Sequence, residues 1–111
     1  MFRIGNAPLP VQVVTAAGSS QTDAAAVGTK SPAFILAAGD NTVGIRLPLA
    51  AKGMLFYVKN TGGGSLKVYP ASGDAINAIV ADSPLVMVTV TSAVFVAKDS
   101  TTWYTFPLLP S

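Results

Sequence analysis

Residues 54–70 read Met54-Leu55-Phe56-Tyr57-Val58-Lys59-Asn60-Thr61-Gly62-Gly63-Gly64-Ser65-Leu66-Lys67-Val68-Tyr69-Pro70. Two alternating runs flank three glycines. A period of two is the mark of a strand with one face buried. Met54, Phe56, Val58, Leu66 and Val68 fall on the apolar face, and Tyr57, Lys59, Lys67 and Tyr69 on the other. Glycines permit the positive φ of a tight hairpin loop. The expectation is therefore a hairpin pairing Val58 with Val68 and Tyr57 with Tyr69. Its cost is one unfavourable pair of facing lysines, and a slip of one residue would mix the faces.

The same rhythm extends outward. Phe34-Ile35-Leu36 precedes Gly39-Asp40-Asn41, and Val43 to Leu47 ends at Pro48. Later runs at 76–80, 85–90, 94–97 and 103–106 are short, β-branched or aromatic, and bounded by Pro, Gly, Asp or Ser. Strand starts recur about every ten residues, the spacing of an all-β sandwich or barrel. No long stretch repeats at a helical period. The expected fold is a compact antiparallel β-sandwich or barrel of about 7–9 short strands. Residues 1–12 read as an extended, proline-stiffened arm, 13–106 as one β domain and 107–111 as a tail. The small, polar stretch 16–30 reads as loop.

Composition limits the chemistry. Half of the 111 residues are hydrophobic, and the charged ones are 7 Lys or Arg and 5 Asp. That is less than half the usual quarter of charged residues. A small domain normally covers its large surface with charge. Part of this surface is therefore expected to be consumed by contacts. There is no Cys and no His, which removes disulfides, thiolate metal sites and every Ser-His or Cys-His pair. A membrane-crossing helix needs about 20 apolar residues. The uncharged stretch Ser83 to Ala97 is shorter and is broken by Pro84. Neither an enzyme nor a cofactor is expected, and no membrane partner.

The candidate site residues are few. Asp23, Asp40, Asp74, Asp82 and Asp99 mostly stand beside Gly, Asn, Ser or Pro, where Asp makes turn hydrogen bonds. Gly62-Gly63-Gly64 lacks the Lys and helix of a phosphate loop. Tyr57, Lys59, Lys67 and Tyr69 alternate base with aromatic, as single-strand nucleic-acid binders do. The patch is small beside a usual basic footprint, so a nucleic-acid partner is not expected. Trp103 and Tyr104 offer a sugar-stacking platform or a core-and-contact pair. The apolar ends are Phe2, Ile4, Pro8, Leu9 and Pro10, and Pro107, Leu108, Leu109 and Pro110. Such apolar ends are tolerable in water only where they dock on something, so they are the candidates for contact with another chain.

Thr42 to Pro48, the strand from Gly53 to Asn60, Leu66-Lys67-Val68-Tyr69-Pro70, Gly73-Asp74-Ala75-Ile76-Asn77, Val94-Phe95-Val96 and Trp103-Tyr104 together resemble a small β domain of tailed-bacteriophage virion proteins. That domain occurs in capsid decoration (cement) proteins, head fibres and tail-fibre-like proteins. The resemblance covers roughly residues 40–106 and carries no catalytic residue over. It implies a non-enzymatic, generally trimeric virion component, made in the host cytoplasm and placed on the outer capsid surface. The expected partners are two sister copies and the major capsid protein. A fibre would add a long shaft or receptor-binding tip, so a stand-alone decoration protein is expected. A receptor- or glycan-binding module is the alternative, and a single-strand nucleic-acid binder the weaker one.

Overall fold

Alternation puts one face of every strand inward, and ten strands form in the computed structural model, which describes residues 8–108. They are β1 (Val11–Val13), β2 (Ala25–Ala26), β3 (Ala33–Ala37), β4 (Gly44–Arg46) and β5 (Leu55–Asn60). Then come β6 (Leu66–Tyr69), β7 (Ala75–Ile76), β8 (Leu85–Met87), β9 (Ser92–Ala97) and β10 (Thr102–Phe106). The described chain is all-β, as expected. β1 starts inside the stretch read as an arm.

The antiparallel sandwich or barrel is corrected. Successive strands from β1 to β6 alternate between a six-stranded sheet, ordered β1-β3-β5-β9-β10-β7, and a four-stranded sheet, ordered β2-β4-β6-β8. β1, β3 and β5 run parallel, and so do β2, β4 and β6. The first half of the chain is thus a β-solenoid of three turns. Val11, Phe34 and Tyr57 stack in register, each 23 residues after the last. Among the ten strands, antiparallel pairing enters with β8 on β6, β9 on β5 and β10 on β9, and a single antiparallel bridge joins Ala17 to Gly44.

The glycine run explains the correction. β5 and β6 are not a hairpin, and Gly62, Gly63 and Gly64 do not need positive φ. Gly62 and Gly64 are needed for close approach, whereas a Cβ on Gly63 would meet nothing within 4 Å. A Cβ on Gly62 would stand 2.1 Å from the Gly39 carbonyl oxygen, and one on Gly64 2.7 Å from the Asp40 carbonyl carbon. These residues form the corner of one solenoid turn resting on the corner of the turn before. Lys59 therefore pairs with Leu36 and Ser92, Lys67 with Gly44 and Val86, and the two lysines never face each other.

A single core lies between the sheets. Ile35, Val58 and Ala93 make one inward row, and Ala33, Phe56, Phe95 and Thr105 another. Ile45, Val68 and Leu85 answer from the smaller sheet. Trp103 is fully buried, with its ring centroid 5.9 Å from that of Phe56. Asn60 is buried at the corner. Its Oδ1 accepts from the N–H of Gly39 (2.9 Å) and Gly62 (3.0 Å). Its Nδ2 donates to the carbonyls of Gly64, Met87 and Val88 at 2.9–3.2 Å. One side chain thus joins two solenoid turns to the end of β8.

Local turn chemistry takes up two of the five aspartates, while Asp74 and Asp82 accept from residues distant in sequence. Asp40 accepts from Thr42, and Asp99 accepts from the N–H groups of Thr101 and Thr102. Those bonds, with Lys98 alongside, pull the Asp99 carboxyl down to about 2. The turn before β9 is less comfortable. Val90 has φ +55° and is 66% exposed. A β-branched residue in the left-handed region is strained by roughly 1–2 kcal/mol. Asn tolerates that region, so Val90→Asn should raise unfolding stability by about 1 kcal/mol, read from the urea midpoint. A lower midpoint would show that the valine is held there by contacts.

Candidate functional site: the outer face of the six-stranded sheet

Registered pairs share a face, so the outward residues of the large sheet can be placed in rows. Val11, Phe34, Tyr57, Val94 and Phe106 form one continuous row across five strands. Leu55, Val96 and Tyr104 form the row on one side. Val13, Leu36, Lys59 and Ser92 form the row on the other. Ten of these twelve positions are apolar or aromatic, and one is charged.

Twelve positions, each about 4.8 Å by 6.7 Å, cover roughly 390 Å². Patches of that order on small proteins mark interaction sites. Phe34 and Tyr57 meet edge to face at 5.2 Å in its middle. Val11, Val13 and Phe106 are each more than half exposed. The Lys59 ammonium is turned aside to the Val90 carbonyl, 3.0 Å away. Leu9, ahead of β1, lines a cavity of about 330 Å³ with Phe34, Tyr57, Lys59 and Ser92. Beyond Tyr104 and Phe106, an apolar groove of about 460 Å³ continues to Asn77, Ala78, Thr105 and Leu108.

The sequence candidates are split by this geometry. Tyr57 and Lys59 lie on the apolar face, and Tyr104 and Leu108 lie at its exposed edge. Lys67 belongs to the other sheet. Tyr69 is buried, because the loop after β1 crosses over it and its hydroxyl donates to the Ser19 carbonyl at 3.0 Å. The single face of Tyr57, Lys59, Lys67 and Tyr69 is therefore corrected. Trp103 points into the core and offers no ring to a sugar. Pro8, Pro10 and Pro107 are exposed. Phe2, Ile4, Leu109 and Pro110 lie outside the described residues.

The residues that carried the resemblance have structural work here. Asp74 accepts from the Ala50 N–H at 2.9 Å, and the Asn77 side chain bonds to Thr105 of β10, its Nδ2 donating to Oγ1 (2.9 Å) and its Oδ1 accepting from the N–H (3.1 Å). Sequence reasoning missed the apolar face as a unit, because Val11 was read as arm and the run Phe34-Ile35-Leu36 was read as a short strand with no face assigned. Among the described residues, no group of three acidic side chains is placed to hold a metal ion. No helix of the described residues is long and apolar enough to cross a membrane. No protein-family model, curated protein or solved structure matches the chain.

Proposed function

We propose that this chain is a capsid decoration protein of a tailed bacteriophage, acting as a homotrimer on the outer capsid surface. The observation that carries this is the outer sheet face, with ten apolar positions and a single charge. Water is a poor solvent for it, and burying it between copies releases about 25 cal/mol per Å² of apolar surface. Closed cyclic symmetry lets copies bury such a face without open-ended growth. The resemblance over residues 40–106 supplies the virion setting.

The mechanism is thermodynamic. A subunit that binds the assembled shell and not its separated parts stabilises the shell by mass action. No bond is made or broken, in keeping with a sequence that lacks His and Cys. In a heating series, capsids carrying the chain should retain their DNA to a higher temperature than stripped capsids. Equal release temperatures at saturating chain contradict the reading.

Val94 sits mid-row between Tyr57 and Phe106. Val94→Lys places a charge at that point while the long stem stays free to reach solvent in the separated subunit. Self-association should weaken at least about tenfold, the effect of roughly 1.4 kcal/mol, with an unchanged circular-dichroism spectrum. Retained association at low micromolar concentration would move the contact to another surface. A glycan-binding module is the second reading, favoured by the groove beside Tyr104 and Phe106. Saturable binding on a glycan array, lost in Tyr104→Ala, would support it.

A further inference from the structure

On the smaller sheet a different kind of site is built around Arg46. This residue ends β4 and is half-buried. Its Nη1 donates to the carbonyls of Gln21 (2.8 Å) and Thr22 (3.3 Å), which fixes the plane of the guanidinium. A guanidinium carries five N–H donors. Those on Nε and Nη2 meet no acceptor among the described residues, and no ion pair there involves Arg46. The group is held, charged and half unused.

It opens on a cavity of about 380 Å³ lined by Gln21, Thr22, Arg46, Leu49, Ala71 and Ser72. The walls are tied together. Gln21 Nε2 donates to the Pro70 carbonyl at 2.8 Å and to Asp82 Oδ1 at 3.1 Å. Asp82 Oδ1 also accepts from the Gly73 N–H at 2.7 Å. Asp82 is the acid facing this wall. Its oxygen is engaged by Gly73 and Gln21, which keep the carboxyl below its ordinary range. Leu49, 69% exposed, and Ala71 supply an apolar border, and Ser72 adds an exposed hydroxyl.

We infer that this cavity is a carboxylate-binding site, with the free edge of Arg46 as its anchor. A planar fork of donors matches the two oxygens of a carboxylate. The apolar border suits the short aliphatic stem that carries one. Clamping the 17–23 loop uses only Nη1, so clamp and receptor coexist on one side chain. The carboxylate belongs either to an Asp or Glu side chain of a partner protein or to a small free acid. This site lies on the other sheet from the apolar face, so its failure leaves the assembly reading intact.

The test is a nuclear magnetic resonance titration of the full chain at constant ionic strength. The probes are acetate, the capped peptide Ac-Gly-Glu-Gly-NH2 and its Gln counterpart. The signals followed are the Arg46 Nε–H and the amides of Thr22 and Ser72. Saturable shifts with the Glu peptide in the millimolar range, and none with the Gln peptide, are expected. Equal saturation by acetate assigns the site to small acids, and a clear preference for the peptide assigns it to a protein side chain. Arg46→Lys keeps the charge but loses the fork, and should weaken binding about tenfold. Because that change also touches the loop clamp, Ser72→Trp provides an independent check. It fills the cavity with Arg46 untouched and should abolish the shifts. Shifts that never saturate, that appear equally with the Gln peptide, or that survive Ser72→Trp overturn the inference.

Discussion

Trp103→Ala should unfold this protein or leave it barely folded at 37 °C. The indole is fully buried and stacks near Phe56, where β10 meets β9 on one side and β7 on the other. Removing a buried Trp costs about 3–5 kcal/mol, because lost transfer energy adds to an unfilled cavity. A domain of this size has only about 5–15 kcal/mol in total. Urea unfolding should show the midpoint falling by about a fifth or more of its value, on the same ratio of energies. The indole Nε1–H is buried and meets no acceptor among the described residues, so the ring's contribution there is volume. Trp103→Phe should therefore lose much less than the alanine variant. Equal losses would show that the polar edge matters after all.

Asn60→Leu is the second large effect, and it arises from polarity instead of volume. Leucine is close in size but meets none of the five hydrogen bonds. Two N–H groups, of Gly39 and Gly62, lose their acceptor, and the Gly64 and Met87 carbonyls lose the amide donor, while the Val88 carbonyl keeps the Thr91 hydroxyl and N–H. Each buried group left unpaired costs about 1–3 kcal/mol. Local movement will admit water to some of them, so a net loss of about 3–5 kcal/mol is expected. Asn60→Asp adds a diagnostic. Its carboxylate still accepts from the two N–H groups but faces three carbonyl oxygens. Burial beside those dipoles raises its folded pKa above the ordinary value of about 3.9. That raised pKa favours the fold at low pH, and the benefit is lost as pH rises through the folded pKa. The aspartate variant should therefore be closer to wild type at pH 4 than at pH 7. The opposite trend would mean that the corner accommodates a charge.

Much of the strand pattern was legible, because alternation depends on burial and not on which strand lies alongside. Phe56 and Val58 face inward and Tyr57 and Lys59 outward, as their spacing predicts. Pairing was not legible for the same reason. An amphipathic strand has the same pattern in a hairpin and in a solenoid turn. The glycine run carries two physical meanings, positive φ or close backbone approach, and only the contact with Gly39 and Asp40 separates them. The 23-residue repeat is hidden because the stacked residues share a position and a facing but neither identity nor shape, as Val11, Phe34 and Tyr57 show. Tyr69 does point outward, but a loop some 50 residues earlier covers it. Asn60 left one trace in the sequence, an amide at a core-facing phase just before the glycines. The apolar face emerges only once β1, β3, β5, β9 and β10 are known to be neighbours.

The central claim is that the outer face of the six-stranded sheet is buried between copies of this chain. The most direct test is the mass of the purified protein by light scattering at micromolar concentration. One chain is 11.3 kDa, so the account predicts a single species near 34 kDa, three times that value. A monodisperse species at 11.3 kDa, unchanged on concentration, would contradict it and leave the apolar face without the partner assigned to it.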